Sequence, residues 1–321
     1  LNLAEIISPI ANDMKAVDAV IRQRLNSEVV MIRTVGEYII NAGGKRMRPA
    51  MVLMIANALG YKGADHHLMA AIIEFIHTST LLHDDVVDES DLRRGRSTAN
   101  AVFGNAASVL VGDYLYSRSF EMMVDLDSMR IMQIVSNATT IIAEGEVLQL
   151  LNVHDPDVSV ERYLQVVRYK TAKLFEAAAQ TGAVIAGATP EQEQAAADYG
   201  RYVGTAFQLI DDVLDYSGDA EALGKNVGDD LREGKPTLPL IRVMQVGTPE
   251  QRDLIYKAIE TGEADFTEVA RAIQATDALE YTRKIAQEEA ERALNVLAPF
   301  PDSPYKNALT GFCHFSINRN S

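Results

Sequence analysis

Two segments, HDDVVDE at 83–89 and IDDVLDY at 210–216, repeat the pattern Asp-Asp-x-x-Asp inside apolar runs. On a helix, positions i and i+4 share a face, so Asp84 aligns with Asp88 while Asp85 is turned about 100° away. The same spacing aligns Asp211 with Asp215 and sets Asp212 to the side. Six carboxylates facing one another across a helical core would be prohibitive in a low dielectric unless a cation met them. An oxygen-only set without His or Cys suits a hard divalent ion, and Mg²⁺ characteristically completes its shell with water and substrate phosphate. One triplet alone reads equally well as an acidic, solvated helix end. Two copies, each following apolar residues at helical spacing, favour the metal.

Phosphate oxygens left uncovered by a metal need fixed cations, and the chain groups its bases in turn-like settings. Lys45, Arg46 and Arg48 lie in NAGGKRMRP, Arg93 and Arg94 in DLRRG, and Lys225 and Lys235 in LGKNVGDDLREGKPT. Arginine offers a planar fork and lysine a mobile point charge, a mixture that fits a diphosphate. Each base taken singly is a surface residue. Beside glycines and acidic motifs, in a chain of net charge −15, they read as a local basic pocket. His77 lies two helical turns before Asp84, on nearly the same face, and is suited to donate to a second phosphate. A rival reading takes His83-Asp84 as the opening of an HD-type phosphohydrolase metal site, with His66 and His67 as the further ligands. It leaves the second triplet and the basic clusters unexplained.

Long helices must carry these groups. No proline occurs between Pro49 and Pro156, a stretch rich in Ala, Leu, Met, Ile and Glu at helical spacings. TPEQ at 189–192 and again at 248–251 predicts two helix starts, with Thr as N-cap, Pro at N1 and Gln at N3 of a capping box. No segment alternates as a strand would, so an all-α, single-domain bundle of long helices around a central cavity is expected over 1–321. Residues 218–239 form a loop on this reading and the C-terminal third an outer layer. The acidic balance excludes a nucleic-acid-binding surface, and no apolar run reaches the length of a membrane span. One cysteine, Cys313, excludes an internal disulfide framework. The opening LNLAEIISPIANDMKAV has acids where a secretory signal carries bases, so a cytoplasmic protein is expected.

GGKRMRP, LLHDDVVDESDLRRG, YKTAKLFEAA, GTAFQLIDDVLDY and GKNVGDDLREGKPTLP occur in order from about residue 43 to 239. With their spacing they resemble the trans-isoprenyl diphosphate synthases, and ASVLVGDYLYSRSFEMM and AEGEVLQLLNV resemble its long-chain quinone-side-chain branch. The resemblance implies a fold of isoprenoid synthase type and the addition of isopentenyl diphosphate to an allylic diphosphate, farnesyl diphosphate as starter. Asp84, Asp88 and Asp211 would hold three Mg²⁺, with Asp85, Asp212 and Asp215 acting in support. Arg93, Lys170, Lys225 and Lys235 would hold the allylic diphosphate, with Thr171 and Gln208 at the reacting centre. Lys45, Arg48, His77 and Arg94 would bind isopentenyl diphosphate, leaving Arg46 without a contact. Ser79 and Thr80, small where short-chain relatives are bulky, would open a product tunnel, and Tyr116, Phe120 and Met123 would form its floor. A homodimer is implied as well. One departure stands out: Gly-Gln-x-x-Asp of many members is here Gly145-Glu146-Val147-Leu148-Gln149. The alternatives are a noncatalytic prenyl-diphosphate-binding subunit, which would commonly lose one acidic motif, and a terpene cyclase, which normally lacks the second triplet.

Overall fold

The computed structural model describes residues 1–218 and 229–320. The chain forms two compact units: Leu1–Ser136, Ala177–Ala197 and Pro299–Leu309 in the first, Asn137–Glu176, Asp198–Ala298 and Thr310–Ser321 in the second. In chain order the first elements are α1 (Leu3–Ile6), α2 (Ala11–Arg24), α3 (Val30–Ile40), α4 (Met47–Ala58), α5 (Asp65–Val87), β1 (Leu92–Arg93), β2 (Arg96–Ser97), α6 (Ala99–Phe103) and α7 (Asn105–Val124). Then come α8 (Met129–Asn152), α9 (Val160–Val167), a π-helical turn at Arg168–Ala172, α10 (Lys173–Ile185) and α11 (Pro190–Leu214). The remainder is α12 (Asp229–Arg232), α13 (Leu238–Val246), α14 (Pro249–Thr261), α15 (Phe266–Ala275), α16 (Ala278–Asn295) and α17 (Pro304–Asn318). Four of the five unit boundaries fall inside α8, α10, α11 and α17, and the fifth, between Ala298 and Pro299, lies between α16 and α17.

In the first unit α4 is buried on all sides, with only Arg48 and Asn57 partly exposed, as befits a helix that is apolar all round. Beside it runs α5, which also packs on α2 and α7. Small residues bring α5 and α7 together. Ser79 Oγ donates to the Gly112 carbonyl at 2.7 Å and Ser108 Oγ to the Leu82 carbonyl at 2.8 Å. A Cβ on Gly112 would fall 2.5 Å from His83 Nε2, so a larger residue there would have to move that ring.

In the second unit two apolar clusters form the core. Tyr163, Val167, Leu209, Ile210, Leu238 and Ile241 make one; Tyr216, Leu231, Leu240, Val243, Ile255, Ile259 and Ile273 make the other. The C-terminal helices thus have a core of their own and are more than the outer layer expected of them. Helices α8 and α11 both close on the segment around the π-turn at backbone distance. A Cβ on Gly145 would meet Lys170 N at 2.8 Å, one on Gly204 the Ala172 Cα at 2.8 Å, and one on Gly200 the Phe175 carbonyl at 2.4 Å.

Both TPEQ segments start helices as expected. Thr189 Oγ1 accepts from Gln192 N at 3.2 Å while Gln192 Oε1 accepts from Thr189 N at 3.0 Å, and Thr248 and Gln251 repeat the exchange at 3.2 and 2.9 Å. Among the described residues the strand content is one antiparallel hairpin of two-residue strands, β1 and β2, which the sequence pattern does not announce. Its loop residues Arg94 and Gly95 have φ of 51° and 73°, the double positive φ that a tight two-residue hairpin needs. Among the described residues no helix is long and apolar enough to cross a membrane.

Candidate active site

Both aspartate triplets sit at the C-terminal end of a long helix. Asp84 and Asp85 lie in the last turn of α5, and Asp88 caps it, its N–H donating to the Asp84 carbonyl at 2.8 Å. Asp211 and Asp212 lie in the last turn of α11, and Asp215 N donates to the Asp211 carbonyl at 3.1 Å. The i,i+4 relation predicted for each triplet therefore holds through the helix end. A helix C-terminus already carries negative partial charge, so three carboxylates there are mutually and electrostatically disfavoured until a cation arrives.

In the first unit the outer members Asp84 and Asp88 are half-buried, whereas Asp85 is buried and engaged. Arg93, held by β1, forks onto Asp85 with Nε at 3.0 Å from Oδ2 and Nη2 at 2.7 Å from Oδ1. The next hairpin residue, Arg94, donates to the Gly43 carbonyl of the GGKRMRP turn, bringing two of the predicted basic motifs together. Arg48 reaches His77 Nε2 at 3.4 Å, and Arg46, entering α4 at a positive φ of 50°, pairs with Glu74 at 3.3 Å. Burial holds the His77 imidazole well below its ordinary pKa, and the guanidiniums of Arg48, Arg93 and Arg94 press it further down. Three arginines thus bear on this one imidazole. Lys45 is exposed.

In the second unit the acidic residues are linked by polar side chains. Tyr163 donates its hydroxyl to Asp212, Gln208 Nε2 donates to Asp212 Oδ1 at 3.1 Å, and Thr171 Oγ1 lies 3.2 Å from Gln208 Oε1. Burial, then Asp230, raises the Asp212 carboxyl well above the usual range. Burial and the same Asp230, with Asp212 and Asp211, push Asp215 up to about 9. Arg319 places Nη2 2.5 Å from Asp211 Oδ1. Lys170 projects from the π-turn, with Nζ 2.5 Å from Gln149 Oε1 and 3.3 Å from Glu146 Oε2. Lys235 lies 2.8 Å from Glu233 and 3.9 Å from Asp230. Lys225 lies outside the described residues.

Sequence reasoning leaves Glu146 and Gln149 without a role, and it misses Tyr163, Asp230 and Arg319. The Glu-x-x-Gln spacing is the one available signal, since i and i+3 share a helix face. Of the three proposed floor residues Met123 is buried, Phe120 half-buried and Tyr116 40% exposed, with the Tyr116 and Phe120 rings 5.1 Å apart. The HD-type rival fails on position. His83 Nε2 contacts Val109 O at 3.0 Å and Asp113 at 3.1 Å, while His66 and His67 lie at the opposite end of α5, about 24 Å along it.

The polyprenyl synthetase family model matches residues 29–276. The chain belongs to that family. It is 55% identical to octaprenyl diphosphate synthase of Escherichia coli over 322 residues, covering 100% of both chains. It is 48% identical to the geranyl-diphosphate-specific all-trans-nonaprenyl-diphosphate synthase of Rhodobacter capsulatus, covering 98% of this chain and 97% of that one. Among solved structures it is similar to the polyprenyl synthase of Caulobacter crescentus crystallised with calcium and isoprenyl diphosphate. That match has a TM-score of 0.95 and 43% identity, and covers 100% of this chain and 98% of the other. The all-α fold is therefore of isoprenoid synthase type, as expected, and the chain is a prenyltransferase.

Proposed function

We propose that this protein is a long-chain trans-polyprenyl diphosphate synthase that extends farnesyl diphosphate with isopentenyl diphosphate to an octaprenyl product, acting as one synthase domain and as a homodimer. The observation that carries the reading is the placement of two intact aspartate triplets, each at the C-terminal end of a long helix. Burial first, and then the neighbouring Asp230, lift Asp215 to about 9, and an oxygen-only donor set of this charge fits Mg²⁺. Asp84, Asp88 and Asp211 would hold the metal, with Asp85, Asp212 and Asp215 supporting them. When bound, the metal supplies positive charge to the diphosphate as it leaves.

The side chains do the rest. Lys170, oriented by Glu146 and Gln149, together with Arg93, Lys235 and Lys225, binds the allylic diphosphate and takes up charge that grows on its oxygens. Arg93 is already aimed by Asp85, so little reorganisation is needed. Thr171 and Gln208 hold dipoles beside the reacting carbon. Lys45, Arg48, Arg94 and a neutral His77 bind the isopentenyl diphosphate, whose double bond attacks the allylic carbon; the diphosphate released in that step accepts the proton. Helix α7 leaves Leu110, Tyr116 and Val124 exposed, apolar side chains that a second copy would cover.

Purified protein incubated with Mg²⁺, farnesyl diphosphate and labelled isopentenyl diphosphate should yield an octaprenyl chain on reversed-phase analysis. Binding without extension would instead identify a noncatalytic prenyl-diphosphate-binding subunit.

A further inference from the structure

Among the described residues outside the aspartate triplets, one group of side chains has the composition and spacing of a transition-metal site. Asp13 on α2 and His66 and His67 at the start of α5 place one ligand atom each within 4.8 Å of one another. His67 Nε2 lies 2.6 Å from Asp13 Oδ1 and His66 Nε2 lies 3.4 Å from the same oxygen. The two imidazoles are stacked, with ring centroids 4.1 Å apart and planes inclined by 26°, so both present the same edge to the carboxylate. Ligands around a four-coordinate Zn²⁺ at bonds of about 2.0–2.1 Å stand about 3.3 Å apart, so a modest opening of the His67–Asp13 distance would admit the ion.

The surroundings support a site over a simple hydrogen bond. The second oxygen of Asp13 accepts from Asn57 Nδ2 at 2.9 Å, which leaves Oδ1 to the histidines and fixes the carboxylate as metal-binding carboxylates are fixed. His66, 3% exposed, stands 3.4 Å from that oxygen, longer than a strong hydrogen bond. The side chains of His67 and Asp13 are 21% and 23% accessible, so water can enter to complete the shell.

We infer that Asp13, His66 and His67 form a second metal site, of two-imidazole, one-carboxylate type, that takes Zn²⁺ or a similar borderline ion and ties α2 to α5. Imidazole donors favour such ions over Mg²⁺, which prefers oxygen, so this site and the aspartate triplets are chemically separable. The inference is independent of the proposed prenyl transfer.

Metal-free protein in excess Mg²⁺ is titrated with Co²⁺ and, separately, equilibrated with Zn²⁺ and assayed for bound metal. One equivalent of Co²⁺ with the intense visible absorption of a four-coordinate nitrogen-bearing site is expected, along with one retained Zn²⁺ per chain and a rise of a few degrees in Tm. Both His67→Gln and Asp13→Asn should weaken Zn²⁺ binding at least about tenfold, while Asp84→Asn keeps it. Circular dichroism of the metal-free variants separates loss of the site from loss of the fold. Only weak six-coordinate Co²⁺ absorption in the wild-type protein, or Zn²⁺ retention unchanged in a folded His67→Gln, overturns the assignment.

Discussion

The guanidinium of Arg319 is bound to the carboxylate of Asp211, 108 residues earlier in the chain, and lies 3.9 Å over the Phe207 ring while donating to the Phe207 carbonyl at 2.7 Å. A cation already rests on one of the aspartates assigned to the metal. An incoming divalent ion must share that carboxylate or displace the arginine. Arg319→Gln should therefore lower the Mg²⁺ concentration for half-maximal activity by about tenfold, the worth of one charge-assisted hydrogen bond. Direct Mn²⁺ binding by electron paramagnetic resonance should shift in parallel; an unchanged affinity would show that ion and arginine do not compete.

Asp84→Asn should reduce turnover by about 100-fold or more, because charge on the departing diphosphate would go unmatched. The same change removes a negative charge from a helix C-terminus, so the metal-free Tm should hold or rise. Near wild-type condensation at saturating Mg²⁺ would remove Asp84 from the metal set.

Lys170 is held by one carboxylate and one amide, Glu146 and Gln149. The double exchange Glu146→Gln with Gln149→Glu keeps that complement in the reverse order and should leave kcat within about threefold. Glu146→Gln alone strips the lysine of its anion and should lower kcat by about tenfold, in line with a charged hydrogen bond. Equal losses in the double and single variants would mean that position, not complement, matters.

An unfolded aspartate ionises near 3.8, whereas Asp215 keeps its proton until about 9, first through burial and then through Asp230. Between these values the folded state binds the additional proton. The stability this provides is complete below the lower value and is lost as pH rises through the upper. With EDTA present, the urea midpoint should fall between about pH 6 and about pH 9, and Mg²⁺ should flatten the trend by favouring the ionised form in the fold. A midpoint that rises over this range in EDTA would contradict the assignment.

Ser79 is 2% exposed and bonded to α7, while Thr80 is half-buried with its hydroxyl on the His77 carbonyl at 2.6 Å. Ser79→Tyr should shorten the product but also overpack the α5–α7 contact, at a cost of about 1–3 kcal/mol. Thr80→Phe should shorten it with less loss of Tm. Full-length product from both variants, read by reversed-phase chromatography, would place the limiting wall elsewhere.

The sequence made the helical triplets legible because i,i+4 spacing is local, and the capping boxes because Thr and Gln three residues apart close on each other. It did not show that α5 stops at Val87. The left-handed residue beyond that end is Glu89, with φ of 53°, where a glycine would have been the signal. The π-turn was hidden for a similar reason: RYKTA contains neither Gly nor Pro and is flanked by ordinary helical pattern. Tyr163 on Asp212 and Arg319 on Asp211 join positions 49 and 108 residues apart, and no periodicity reports such a pairing.

The glycines that admit backbone on either side of Arg168–Ala172 act as a mechanical detent. A one-residue deletion within α9 would have to rotate Lys170 by about 100°, and at Gly145 and Gly204 there is no side chain to trim that would make room. Efforts to retune this enzyme by shifting the register of these helices will find no tolerance at that latch.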